Sequence, residues 1–173
     1  MVVEHSYYVS VIAGMLARRW NEYQRDDGIF LEIGDVMMAA ALHDAEEAVT
    51  GDLPNLVKRS IKSEWERAMS AVHDEIFADS NIHSKPVSEW MRATVGLLSS
   101  ESVYGNIVKN IIKAADLLAA LLYLRDEQMC GNRYVEPIVS EITLECRKVD
   151  LPGYQAMLDG LGFNHHKNQL SHL

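Results

Sequence analysis

Apolar positions recur along most of this chain at spacings of three and four, the signature of helices that hide one face. Residues 2–23 read as a first helix whose stripe carries His5, Tyr8, Val9, Ile12, Ala13 and Leu16, and Asp26-Asp27-Gly28 breaks it. A second helix is expected from about Glu32 to Val49, with Ile33, Val36, Met37, Ala40, Ala41, Ala45 and Ala48 on its hidden side. Thr50-Gly51-Asp52-Leu53-Pro54 stops it. Ser60 to Ala78 is amphipathic through Ile61, Trp65, Ala68, Met69, Val72 and Ile76. Pro86 can begin the next helix, which carries Trp90, Met91, Thr94, Leu97 and Leu98. Glu101 to Cys130 predicts a long helix ended by Gly131. Arg133 to Lys148 predicts a last long one, broken by Pro152-Gly153, and the tail from Gly160 is expected to be loosely held. No repeat or linker interrupts this pattern. It predicts a single all-α domain of about six helices over residues 1–173.

Composition narrows the reading. A chain of 173 residues, with 8% aromatic residues and four prolines, suits one helical domain with a sizeable core. The net charge of −9 argues against nucleic acid or an anionic membrane as the main partner, but leaves phosphorylated small molecules open. Cys130 and Cys146 have no metal-site spacing and read as reduced thiols of a cytoplasmic protein. No apolar run has transmembrane length, and the start lacks a signal-peptide pattern.

The candidate chemistry centres on Leu42 to Asp52, which reads Leu-His-Asp-Ala-Glu-Glu-Ala-Val-Thr-Gly-Asp. His43 falls on the apolar stripe of the second expected helix, and Glu47 follows one turn later. Hiding a histidine and carboxylates together costs several kcal/mol per charge unless something compensates, and a divalent cation is the usual compensation. Distant segments supply further candidate ligands. His5 lies on the first stripe, and Asp116 interrupts the apolar run Ile111-Ile112-Lys113-Ala114-Ala115-Asp116-Leu117-Leu118. His5, His43, Asp44 and Asp116 would suit Zn, Mn, Fe, Co or Ni, and the donor set alone does not choose among them. The other reading of these four is a set of polar core residues satisfied by one another.

Other groups are weighed in the same way. His73-Asp74 is a second His-Asp pair, but its helix hides Met69, Val72 and Ile76, so the pair leans toward water. Glu46 and Glu47 point about 100° apart, and only Glu47 is one turn from His43, which makes it the candidate general acid or base. Asp52 either aligns a water or protonates a leaving oxygen, or else stabilises the Thr-Gly-Asp turn. Lys58, Arg59 and Lys113 are candidate phosphate contacts or solvated charges. No Gly-rich phosphate loop and no activated serine or cysteine nucleophile is evident.

The order His … His-Asp … Asp resembles the HD-superfamily metal-dependent phosphohydrolases. Val-Glu-His-Ser, His-Asp-Ala-Glu-Glu-Ala-Val-Thr-Gly-Asp-Leu-Pro and Ile-Lys-Ala-Ala-Asp resemble more narrowly its YfbR-like 5′-deoxynucleotidase branch, over roughly residues 2–150. The resemblance implies an HD-domain helical bundle in which His5, His43, Asp44 and Asp116 hold one divalent transition metal, with Glu47 and Asp52 acting beside it. It also implies a helix before Val-Glu-His that brings an arginine and an aromatic residue to the nucleotide. Here only four residues precede His5.

The expected function is therefore metal-dependent removal of the 5′-phosphate from deoxynucleoside monophosphates, with a metal-activated water attacking phosphorus. One alternative is a deoxynucleoside triphosphate triphosphohydrolase, as in small phage enzymes that resemble the same branch. Another is a catalytically inactive nucleotide-sensing or scaffold module. The resemblance also implies a homodimer, for which Met129, Tyr134, Ile138 and Ile142 are spare apolar residues.

Overall fold

The first helix, α1 (Val2–Tyr23), has the boundaries its periodicity predicts. Val9, Ile12, Ala13, Leu16 and Ala17 are buried along it, while Tyr8, expected on the same stripe, is half exposed. Burying side chains the size of leucine or valine contributes about 1.5–3 kcal/mol each, so this stripe fixes which way α1 faces. The computed structural model describes residues 2–26, 28–45, 63–64, 67–68, 71–72, 75 and 85–163. Glu47, Asp52, Lys58, Arg59, His73 and Asp74 lie outside the described residues. So do most of the expected Ser60–Ala78 helix and the histidines after residue 163.

Helix α2 (Ile33–Ala41) packs against α1. The approach is close because residue 14 is glycine: a Cβ there would sit 2.8 Å from the Met37 side chain. Ser10 Oγ donates to the Met37 carbonyl at 2.8 Å and fixes the register of the pair. Beyond the end of α1, Asn21 holds the returning chain with both groups of its amide, accepting from Leu31 N and donating to Leu31 O.

Helix α2 ends earlier than the apolar pattern suggested. Leu42 caps it, with its N–H on Met38 O, and residues 42–45 form a turn. The reason is local. The Ala40 carbonyl, which a continuing helix would give to the N–H of Asp44, lies 2.7 Å from His43 Nδ1. His43 and Asp44 therefore stand on a turn, not on a helical face.

Helix α3 (Lys85–Gly96) leans on α2, where Trp90 Nε1 donates to Asp35 Oδ1 at 2.8 Å. Leu97 and Leu98, expected on this helix, sit in the turn after it and pack against the core. The central element is α4 (Val103–Met129), capped at its start by Ser102, whose Oγ accepts from Gly105 N. Its end is set by Gly131, whose φ of 94° suits a residue without Cβ. Val108, Ile111, Ile112, Ala115 and Leu118 are buried on it. Near the start of α4, Tyr104 Oη accepts from Glu32 N, while Asp116 further along meets His5 near the start of α1. Helices α1 and α4 thus run antiparallel.

A short 3-10 turn (Arg133–Val135) leads into α5 (Glu136–Arg147), which covers the other side of α4. A further helix, α6 (Tyr154–Gly160), was not anticipated. Its Tyr154 is wholly buried and donates to Ala114 O at 3.2 Å, while Leu158 fills the core one turn on. Burial, and after it a hydrogen bond with Cys146, pushes the Tyr154 phenol far above its ordinary pKa. Nor is the chain loose immediately after Gly160. Arg125 donates to Leu161 O, Arg147 donates to Phe163 O, and the Arg125 guanidinium lies over the Phe163 ring. Every described element is helical, and the chain is all-α as expected. No helix among the described residues is long and apolar enough to cross a membrane.

Candidate metal centre

Three elements converge where α1, the turn after α2 and the middle of α4 meet. They bring together His5, His43 and Asp116, whose ligand atoms all lie within 4.8 Å of one another. His5 Nε2 is 3.0 Å from Asp116 Oδ1, and the two imidazole centroids are 5.9 Å apart with their planes tilted by 44°. The hidden-face expectation holds only partly. The His5 and Asp116 side chains keep 33% and 44% of their exposure, whereas His43 keeps 12%. The cluster thus sits at the rim of the core, closed on the His43 side and open on the other.

His43 is the most constrained member. A carbonyl oxygen can only accept, so Nδ1 carries the proton in its 2.7 Å contact with Ala40 O and Nε2 presents its lone pair. Asp44 Oδ2 stands 3.0 Å from Nε2, an ion-pair distance without hydrogen-bond alignment. His43 Nε2 is therefore a buried polar atom with no hydrogen-bond partner among the described residues. Its ionisation reflects opposing influences. Burial, the largest, pushes the imidazole pKa down, but Asp44, the Ala40 carbonyl and Asp116 together outweigh it and leave it raised.

These observations fit a divalent cation. A histidine whose outer nitrogen is held by a backbone carbonyl and whose buried inner nitrogen faces carboxylates is oriented as a metal-ligating imidazole is. Two imidazoles and a carboxylate are hard-to-borderline donors that suit first-row transition metals. Asp44 is outside the tight group of three but next to it, at His43. The Ala40 carbonyl gave no sign in the sequence, since every residue has one.

Lys113 is elsewhere. It lies one turn of α4 before Asp116 but about 60° around the helix. It lines a cleft of about 270 Å³ against the end of α5, with Asn110, Leu117, Glu145 and Lys148. Lys148 is ion-paired with Glu145, whereas Lys113 has no ion-pair partner among the described residues.

Residues 1–161 match the family described as 5′-deoxynucleotidase YfbR-like. The chain is also similar to a protein named 5′-deoxynucleotidase YfbR from Escherichia coli (strain ATCC 8739). The two are 32% identical over 152 residues, which cover 85% of this chain and 71% of the relative. The protein of the same name from Shigella boydii serotype 18 gives the same identity over the same shares of each chain.

Proposed function

Since the chain belongs to the 5′-deoxynucleotidase YfbR-like family and is a hydrolase of the HD type, we propose that it cleaves the phosphate from deoxynucleoside 5′-monophosphates. The observation that carries this reading is the cluster of His5, His43 and Asp116, with the buried imidazole nitrogen of His43 facing the Asp44 carboxylate. These three residues, with Asp44 beside them, would hold one divalent transition metal. Such a cation, when bound, draws charge from a phosphoryl oxygen and lowers the pKa of water to ~7 in favourable sites.

The chain's own residues supply the rest. Phosphoester hydrolysis forms a bond from a water oxygen to phosphorus as the bond from phosphorus to the 5′ oxygen breaks, and a proton ends on that departing oxygen. The open side at His5 and Asp116 admits the phosphate, and the closed side at His43 holds the site in register through Ala40 O. We assign the removal of the water's proton to Glu47, and its alignment or the protonation of the leaving oxygen to Asp52. Lys58, Arg59 and Lys113 are the proposed phosphate contacts. Among them only Lys113 lies within the described residues, where it lines the cleft against the end of α5 and would have to reach round α4 to meet the phosphate.

Product analysis on a nucleotide panel tests the reading. Deoxynucleoside 5′-monophosphates should yield orthophosphate and the nucleoside, and Asp116→Ala should abolish the release. Glu47→Ala should keep the metal and lower turnover by about 10²–10⁴-fold, the usual contribution of a general acid or base. Tripolyphosphate from deoxynucleoside triphosphates, with no action on monophosphates, would replace this reading with triphosphohydrolysis. A lack of turnover on both classes would leave a nucleotide-sensing module.

A further inference from the structure

We propose that Tyr123 is the surface on which the substrate's base stacks, an inference that rests on the hydrolase site above. Tyr123 follows Asp116 by seven residues on α4. Seven residues are close to two turns, so the two side chains share a face, with their backbones about 10.5 Å apart. Both are accessible there: Tyr123 is 55% exposed and the Asp116 side chain 44%. Of the positions between them on that row, Ala119, three residues after Asp116, is buried in the core, and Ala120, four residues after it, is part-exposed. The Ala120 methyl leaves a low floor between a carboxylate at one end and a phenol ring at the other.

Direction matters as much as spacing. Helical side chains lean toward the N-terminus of their helix, which favours a Tyr123 ring set over the turn before it, on the Ala120 side toward Asp116. The row then matches the plan of a nucleoside monophosphate. Its phosphate lies at Asp116, its sugar crosses Ala120 and its base meets the ring. A tyrosine face accepts any base, because every base has a π surface, and the contact adds affinity without reading sequence.

The test is calorimetric binding to metal-loaded protein, comparing a deoxynucleoside 5′-monophosphate with deoxyribose 5-phosphate, which lacks the base, each as its non-hydrolysable phosphonate. Tyr123→Ala should weaken binding of the nucleotide by about tenfold, within the range for one lost base stack, and leave deoxyribose 5-phosphate unchanged. Tyr123→Phe should bind the nucleotide like the wild type. In metal-loaded enzyme the alanine variant should raise KM for the nucleotide by a similar factor. Equal nucleotide affinity in wild type and Tyr123→Ala would overturn the proposal. So would an equal loss for both ligands, or a wild type that does not distinguish them. A wild type that shows the base-dependent contrast but releases no phosphate would instead sink the hydrolase reading and leave the Tyr123 contact standing.

Discussion

At the scale of single residues, His43 carries the most information. Its Nδ1 is committed to Ala40 O, its buried Nε2 faces Asp44, and against the lowering effect of burial the neighbouring carboxylates and the Ala40 carbonyl leave its pKa raised. The sign of the consequence follows. In metal-free protein the protonated form contributes stability below the unfolded-state pKa, and that contribution is lost as pH rises through the raised folded value. A cation needs the same nitrogen unprotonated, so it competes with the proton. Metal affinity, measured by chelator competition at a series of pH values, should therefore fall as pH drops through the raised imidazole range, with proton release on binding. A flat affinity across that range would show that His43 is not a ligand.

At the scale of elements, α4 is the beam on which the site is hung, since it carries Asp116, Tyr123 and much of the core. Its first turn depends on Ser102 Oγ, which accepts from Gly105 N at 3.0 Å. Ser102→Ala should cost about 1 kcal/mol and Ser102→Gly only a few tenths, read from urea unfolding midpoints. Equal effects of the two would mean that the cap is not what holds this end. Helix boundaries were legible where periodicity and capping agreed, as for α1 and for the stop at Gly131. They were not legible where a side chain intervened. The apolar run through Ala45 and Ala48 promised a longer α2, and nothing in it announced that His43 would engage the Ala40 carbonyl. Helix α6 was hidden for another reason: it spans seven residues after a Pro-Gly break, and only the Tyr154/Leu158 pair hinted at a buried face.

At the scale of the whole molecule, the fold brings together residues separated by over a hundred positions, because antiparallel α1 and α4 place His5 opposite Asp116 and the close α1–α2 contact at Gly14 positions His43 beside them. His5, His43 and Asp116 were legible because each is a polar group within an apolar pattern. Tyr123 was not, because an exposed tyrosine on a helix looks like any solvated residue until its row is aligned with Asp116. Of the apolar residues expected to be spare, Met129, Tyr134 and Ile138 are exposed, whereas Ile142 packs against the core. The central claim is that His5, His43 and Asp116 form one cation site. Titration of a divalent transition metal into chelator-stripped protein tests it most directly. Wild type should take up a single cation per chain, and His43→Ala and Asp116→Ala should take up none while keeping their helical circular dichroism. Undiminished binding in both folded variants would contradict the account.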